Sequence, residues 1–317
     1  MRLVFLGTGG AWPTKKRNVS STAVIFRDKV ILVDCGEGTQ RQIHWSNFSF
    51  MKISHVLITH FHTDHFLGLF GLMESMYLNE RKRPLEIIGP PGLSWLTDSL
   101  CELGMIKKTF PLKVTEVNDG GILDIEGASV SAFVNSHGVR SLGYVIKENQ
   151  RKGKFNREKA MELGIPEGPL FGKLQQGEDI TVDETVILPE MVMGSPRSGR
   201  KLVFSGDTHL CGELVKQAVG ADVLVHEATY GEDMRDKADE YKHSTARLAA
   251  EAARDAGVRH LILTHISPRY DDPEQLIQEA REIFEKATIA EDLMEVTVPY
   301  RDSGNDISII APVGFDQ

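Results

Sequence analysis

Cysteine is scarce in this chain: Cys35, Cys101 and Cys211 are the only three among 317 residues, and no two stand in a CxxC spacing. An odd, scattered set excludes a disulfide framework and suits a reducing compartment. No apolar run approaches the ~18 residues that a membrane-spanning helix requires, and the opening MRLVFLGTGG is too short and too rich in glycine for a secretory signal. These absences predict a soluble, cytoplasmic protein with no membrane partner. Fixed-period repeats and low-complexity tracts are missing as well. So is an excess of positive charge: the formal net charge of −9 argues against a generic nucleic-acid coat, although a local basic surface would be enough to hold a polyanion. The length is large for one domain, but α/β folds of this size often stay single. Such a chain removes roughly 75% of its unfolded surface from water.

What is present is concentrated between Ser54 and His65, SHVLITHFHTDH. His55 to Thr59 has the β-branched, apolar character of a buried strand. The next six residues hold His60, His62, Asp64 and His65. In the extended chain just past a strand, alternate residues point the same way, so the rings of His60 and His62 go to one side. Asp64 and His65 fall where Phe66 to Leu78 begins to read as a helix, and can turn toward a second point. Imidazole and carboxylate at this spacing suit zinc in an open, catalytic site. This HxHxDH stretch resembles the metallo-β-lactamase-fold hydrolases. The resemblance implies an α/β fold, the αββα four-layer sandwich, with a metal pair held by loops at one edge of its two sheets.

Apolar runs at residues 2–6, 22–26, 30–33, 85–88, 112–117, 121–125, 128–134, 143–147, 201–205, 223–225, 260–264 and 294–298 predict further strands, broken by Gly, Pro and Asn/Asp turns. Helices are expected over 93–103, 244–256 and 274–287, and the apolar stretch 307–313 as an edge strand or a subunit contact. Five places then offer a His or an acidic residue at the end of an apolar run: 60–65, His137, Asp207, His226 with Glu227, and His265. Asp34 ends another strand beside the metal loop, where a carboxylate could orient a ligand histidine. Cys35 fits a small buried residue better than a ligand. His226 is equally compatible with a site role and with structural hydrogen bonding, and His44, His55, His209 and His260 are assigned structural roles.

The runs DCGEGTQRQ, THFHTDH, SHGVRSLGY, SGDT, HEAT, HST and LTHISPRY, from residues 34, 59, 136, 205, 226, 243 and 263, together resemble tRNase Z, the endonuclease family that matures tRNA 3′ ends. The match runs in the same order over nearly the whole chain. It implies one domain spanning 1–317 with an inserted, protruding arm over 148–200. It also implies two zinc ions per subunit, with manganese the alternative: one held by His60, His62 and His137, the other by Asp64, His65 and His265, with Asp207 bridging. A bridging carboxylate suits two cations that would otherwise repel. Asp64, His243 and Glu227 take the catalytic roles. Asp64 aligns the attacking water, His243 protonates the leaving oxygen, and Glu227 keeps His243 protonated and oriented. The implied substrate is precursor tRNA, and the implied assembly a homodimer in which one subunit's arm serves the other's active site.

The arm is polar and rich in Gly and Pro. From 147 to 159 six basic side chains, Lys147, Arg151, Lys152, Lys154, Arg157 and Lys159, face two acidic ones, Glu148 and Glu158. With the resemblance in hand, Lys152 and Lys154 are expected on the tRNA phosphates, and Gly168 and Pro169 of GIPEGPLFGKL match the family's Gly-Pro segment. Such an arm reads shape rather than sequence. Two competing readings remain. A thioesterase, lactonase or small-phosphodiester hydrolase would have no use for the basic arm. A metal-binding RNA adaptor without catalysis would have no use for the complete ligand set.

Overall fold

The computed structural model describes residues 1–104, 106–107 and 109–312. Nine strands precede the arm: β1 (Arg2–Gly7), β2 (Ser21–Phe26), β3 (Lys29–Val33), β4 (Ile53–Leu57), β5 (Leu85–Gly89), β6 (Leu112–Glu116), β7 (Ile122–Ile125), β8 (Ala128–Val134) and β9 (Leu142–Glu148). The arm holds β10 (Ile180–Val182) and β11 (Thr185–Ile187). Six more follow: β12 (Lys201–Phe204), β13 (Val223–Glu227), β14 (Leu261–Thr264), β15 (Ala287–Ile289), β16 (Glu295–Thr297) and β17 (Ser308–Ile310). The helices are α1 (Thr39–Trp45), α2 (Thr63–Phe66), α3 (Gly68–Leu78), α4 (Leu93–Glu102), α5 (Arg157–Glu162), α6 (Pro169–Gln176), α7 (Gly212–Ala218), α8 (Arg235–Tyr241), α9 (Ala246–Asp255) and α10 (Glu274–Ile283). Among the described residues no helix is long and apolar enough to cross a membrane.

The strands form two large sheets. One has eight strands in the order β17-β16-β1-β2-β3-β4-β5-β6, the other seven in the order β15-β14-β13-β12-β9-β8-β7. Their inner faces meet in a common core, to which Leu3, Phe5, Ile31 and Leu57 come from the first sheet and Tyr144, Leu202, Phe204 and Ile262 from the second. The alternate residues of the first sheet, such as Val4, Leu32 and Val56, pack outward against Ile43 of α1 and Leu69, Leu72 and Met76 of α3. Those of the second, Val203, Leu224 and Leu263, pack against Leu214 of α7, Ala249 and Ala253 of α9 and Leu276 of α10. Both faces of each sheet are therefore covered. This is why the central strands read as continuous apolar runs instead of alternating ones, and it makes the layering helix, sheet, sheet, helix, as expected.

Two runs of parallel strands set the direction of the site. In the first sheet β3, β4, β5 and β6 are parallel neighbours, and in the second β12, β13, β14 and β15. The carboxyl ends of parallel strands leave loops with unpaired backbone and room for ligands. At that end the two sheets are tied by backbone, Leu142 N–H donating to Thr59 C=O at 2.9 Å. The phenol of Tyr144 donates to Ile58 C=O at 2.7 Å.

Several boundaries differ from those the sequence predicts. The helix expected over 274–287 stops at Ile283, and Ala287–Ile289 forms β15 beside β14. Its apolar Ala287 serves the sheet, which a helical period does not distinguish. The short helices α1 and α7 carry too few turns to announce themselves, and helical structure after the metal loop starts at Thr63, one turn earlier than expected. The tail adds β17 as an edge strand on β16, while Val313, the end of the apolar stretch, lies outside the described residues.

Residues 148–199 make a separate compact unit. Contrary to its polar reading, this stretch has its own small core of Ala160, Ile165, Leu174, Ile180, Ile187 and Val192, with Phe155 against Phe171 at 4.8 Å. Asn156 caps α5 through Lys159 N–H. Gly168, at φ 141°, turns the chain into α6, where Pro169 sits at the first position that needs no N–H donor.

Candidate metal centre

The metal loop leaves β4 with Thr59 and enters α2 at Thr63. His60, His65 and Asp64 are buried, and His62 is exposed. Asp207 follows β12 across Gly206, His265 follows β14, and His137 follows β8. Three of the turns that release these groups use left-handed backbone, at Asp34 (φ 61°), Gly206 (φ 61°) and His265 (φ 58°). For Asp34 and His265 this conformation costs about 1–3 kcal/mol and persists only where the surroundings enforce it.

The side chains gather in the sets that the resemblance implies. His60, His62, His137 and Asp207 present ligand atoms within 4.8 Å of one another, and Asp64, His65 and His265 do the same. Asp207 Oδ2 stands between them, 3.6 Å from His60 Nε2, 3.4 Å from His65 Nε2 and 3.4 Å from His265 Nε2. Asp64 Oδ2 lies 3.3 Å from His265 Nε2, and His137 Nε2 lies 3.4 Å from His62 Nδ1. The centre fits divalent cations on a structural ground. His60 Nε2 and His65 Nε2 are buried nitrogens with no hydrogen-bond partner, a costly state that a metal ion relieves.

The opposite ring nitrogens are fixed by protein acceptors. His65 Nδ1 donates to Asp34 Oδ2 at 2.7 Å, His137 Nδ1 to Lys242 C=O at 3.0 Å, His60 Nδ1 to Thr59 Oγ1 at 2.9 Å and His265 Nδ1 to Thr229 Oγ1 at 2.8 Å. Both threonine hydroxyls in turn donate a hydrogen bond to a carboxylate, Thr59 to Asp34 Oδ2 at 2.9 Å and Thr229 to Glu227 Oε2 at 2.6 Å. Each of these four rings is thereby held in one tautomer and aimed inward. Asp34 takes the orienting part expected of it. The two threonines are additions that the sequence did not single out, although both lie inside the quoted THFHTDH and HEAT runs.

Electrostatics divides the histidines. Burial, with the neighbouring His65, pushes His60 well below the usual imidazole range, and burial with His137 lowers His62, so both are neutral and ready to ligate. Burial also opposes charge on His65, but Asp207 and Asp34 overcome it and raise its pKa well above the usual value. His65 must then lose a proton when it takes a metal ion. At His243 burial is likewise outweighed: Glu227, 2.8 Å from Nδ1, with Asp207 at 3.9 Å, raises the imidazole to about 9. Glu227 is wholly buried and is held by Thr208 N–H and Thr229 N–H as well.

His226 is buried, with Nδ1 on Glu227 C=O, and joins none of the ligand sets found among the described residues. Cys35 is also outside them, its thiol pushed up to about 12 by burial. His55 pairs with Glu86, His209 with Asp239 and His260 with Thr288. In the arm, Lys152 Nζ donates to Gln175 C=O and Gln176 C=O at the end of α6, while Lys154 is exposed on a groove shared with Arg157 and Lys159.

A four-layer sandwich with His and Asp ligands gathered at the strand ends defines a metallo-β-lactamase-fold metal-dependent hydrolase. The Beta-lactamase superfamily domain family matches residues 190–266, and the family of the Anti-Pycsar protein Apyc1 matches residues 1–150. A metallo-β-lactamase-fold protein from Bacillus subtilis superposes with a TM-score of 0.68 at 17% identity, over 93% of this chain and 97% of that one. More narrowly, the ribonuclease Z of Methanosarcina acetivorans is 44% identical over 302 residues, 95% of this chain and 99% of that protein. The short form of human tRNase Z superposes with a TM-score of 0.69 at 29% identity, over 94% of this chain and all of that one. The chain belongs to the ribonuclease Z family and is a metal-dependent endonuclease.

Proposed function

We propose that this enzyme removes the 3′ trailer from precursor tRNA, leaving a 3′-hydroxyl on the tRNA and a 5′-phosphate on the trailer. Two zinc ions per subunit, or manganese in their place, would be held by His60, His62 and His137 and by Asp64, His65 and His265, with Asp207 between them. When bound, such a pair activates water near neutral pH and stabilises charge on the phosphate.

The observation that carries this reading is the His243–Glu227 pair beside the ligand cluster. A ribose 3′-oxygen is a poor leaving group and needs a proton as the ester breaks. His243 has Nδ1 anchored on Glu227 Oε1 and its pKa raised to about 9, so it can deliver that proton from Nε2. Glu227 keeps the ring charged and oriented, and Thr229 links it to His265. Asp64, aligned by Ala11 N–H at 2.7 Å, orients the attacking water and accepts its hydrogen bond. The basic arm, with Lys152 and Lys154 and with Gly168 and Pro169 shaping α6, would carry the body of the tRNA. The same reading makes the enzyme a cytoplasmic homodimer, which sedimentation of the metal-loaded protein tests.

The deciding experiment incubates metal-loaded protein with a 3′-extended precursor tRNA. One cut at the end of the acceptor stem, with the stated termini, is expected. Scattered cuts, or none, would overturn the proposal.

A further inference from the structure

The metal centre opens into a pocket of about 220 Å³ whose buried floor includes Asp64, Asp207 and His265. Its lining also contains an aromatic that the chemistry leaves unused. Trp12 is 56% exposed, and a single exposed aromatic normally calls for no explanation. Three facts set it apart. The chain's other tryptophans are placed elsewhere: Trp45 lies under the Arg41 guanidinium on α1 and Trp95 is on α4, and neither lines this pocket. Trp12 also closes a three-residue turn, its own N–H donating to Gly10 C=O at 2.9 Å, with Ala11 at φ 66°. This strained turn both aims Ala11 N–H at Asp64 and leaves the indole at the pocket lining.

The third fact is that the loop is held at both ends. Asp292 accepts from Thr8 N–H and Thr8 Oγ1 at one end and from Asn18 N–H at the other. Between them Lys16 Nζ donates to Asp271 C=O at 2.9 Å. The indole is thus presented on a fixed support at the edge of the reacting groups, and the exposed Arg269 lines the same pocket. A single-stranded RNA end passing over the metals has unstacked bases that need a π surface. An aromatic face serves any of them, which fits an enzyme that must accept many different trailers.

Resting on the reading of this site as an RNA-cleaving one, we propose that Trp12 is the stacking platform for the base of a nucleotide next to the scissile phosphate. The contact selects a nucleotide over a bare phosphodiester without selecting among bases. The test compares wild type, Trp12→Phe, Trp12→Leu and Trp12→Ala on a precursor tRNA, with and without an abasic residue on either side of the cut. On the intact substrate Trp12→Ala and Trp12→Leu should lose about 5- to 150-fold in kcat/KM, the range that loss of a base-stacking aromatic spans. Trp12→Phe should stay within about threefold of wild type. One of the two abasic substrates should bring wild type and Trp12→Ala to within about twofold of each other, identifying the stacked nucleotide.

Metal content of each variant should match wild type. A Trp12→Leu variant as active as Trp12→Phe, or a Trp12→Ala deficit that persists undiminished on both abasic substrates, would overturn the assignment. Wild type that fails to cut the precursor at all would overturn the proposed function, and this inference with it.

Discussion

Replacing Asp34 by asparagine removes one oxygen from a carboxylate that three donors share. Thr59 N–H donates to Oδ1 at 2.8 Å, and the Thr59 hydroxyl and His65 Nδ1 donate to Oδ2 at 2.9 and 2.7 Å. An amide of the same shape has a single acceptor. In one orientation its NH₂ meets Thr59 N–H, and in the other it meets His65 Nδ1–H, so a donor faces a donor inside a site that is almost closed to water. One unsatisfied buried donor costs about 1–3 kcal/mol. The folded protein can shed part of this by turning the His65 ring, which misdirects Nε2. Loss of such an orienting partner typically weakens metal binding by about 10- to 100-fold, equivalent to about 1.4–2.7 kcal/mol.

Both routes therefore lead to the same expectation, a metal affinity lower by one to two orders of magnitude at the site proposed for Asp64, His65 and His265, with the other proposed site little changed. Competition of the metal-free protein against a chromophoric chelator reads the two sites as two phases. Thermal melting of the metal-free variants reads the folding cost separately. Two unchanged phases in Asp34→Asn would show that His65 is oriented by the fold alone and that the carboxylate is not needed.

Three further expectations concern the proposed chemistry. His243→Ala should slow precursor cleavage by about 10²- to 10⁴-fold and scarcely affect a nitrophenyl phosphodiester, whose leaving group needs no proton; equal losses would assign His243 to positioning. Because Asp207 Oδ2 reaches ligands of both sets, Asp207→Ala should lower occupancy of both ions and His137→Ala mainly of one, as elemental analysis of the purified variants would show; two full equivalents in Asp207→Ala would remove the bridging role. Lys147 and Lys201 are paired across β9 and β12, so a short Gly-Ser bridge can replace the stretch between them. The folded deletion should keep its activity on small phosphodiesters while binding tRNA more weakly and with a flatter salt dependence, since each phosphate contact contributes about −0.7 to −0.9 to the slope of log K against log salt. An unchanged slope would place the basic surface elsewhere.

The clustered His and Asp residues, the candidate ligands, were legible where an apolar strand ends in His or Asp, because a parallel strand buried on both faces announces itself and its carboxyl end is where ligands collect. That logic reached residues as far apart as His60 and His265. It could not reach Thr59 and Thr229, whose hydroxyl relays are distinguishable from any other threonine only once the imidazoles are in place. Nor could it reach Ala11 or Asp292. The first acts through a backbone N–H, which every residue but proline has, and the second gathers Thr8, Asn18 and Gln42 from positions more than 200 residues away in the chain. The arm's core was hidden for another reason. Ala160, Ile165, Leu174, Ile180, Ile187 and Val192 come from several short elements, so no single period runs through them.

Strand β1 is paired on one side with β2 and on the other with β16, Arg2 lying opposite both Ile25 and Thr297. The polypeptide leaves the ribosome from its amino end, so the outer edge of β1 stays uncovered until β16 has been made. His265 likewise emerges long after His60. A chain arrested anywhere before that point presents an open strand edge and lacks one of the proposed metal ligands. Translation itself thus delays the proposed nuclease until His265 and the strand β16 have both been made. The same delay exposes the β1 edge to unwanted pairing during synthesis, so slowing elongation late in the message should raise aggregation more than slowing it early.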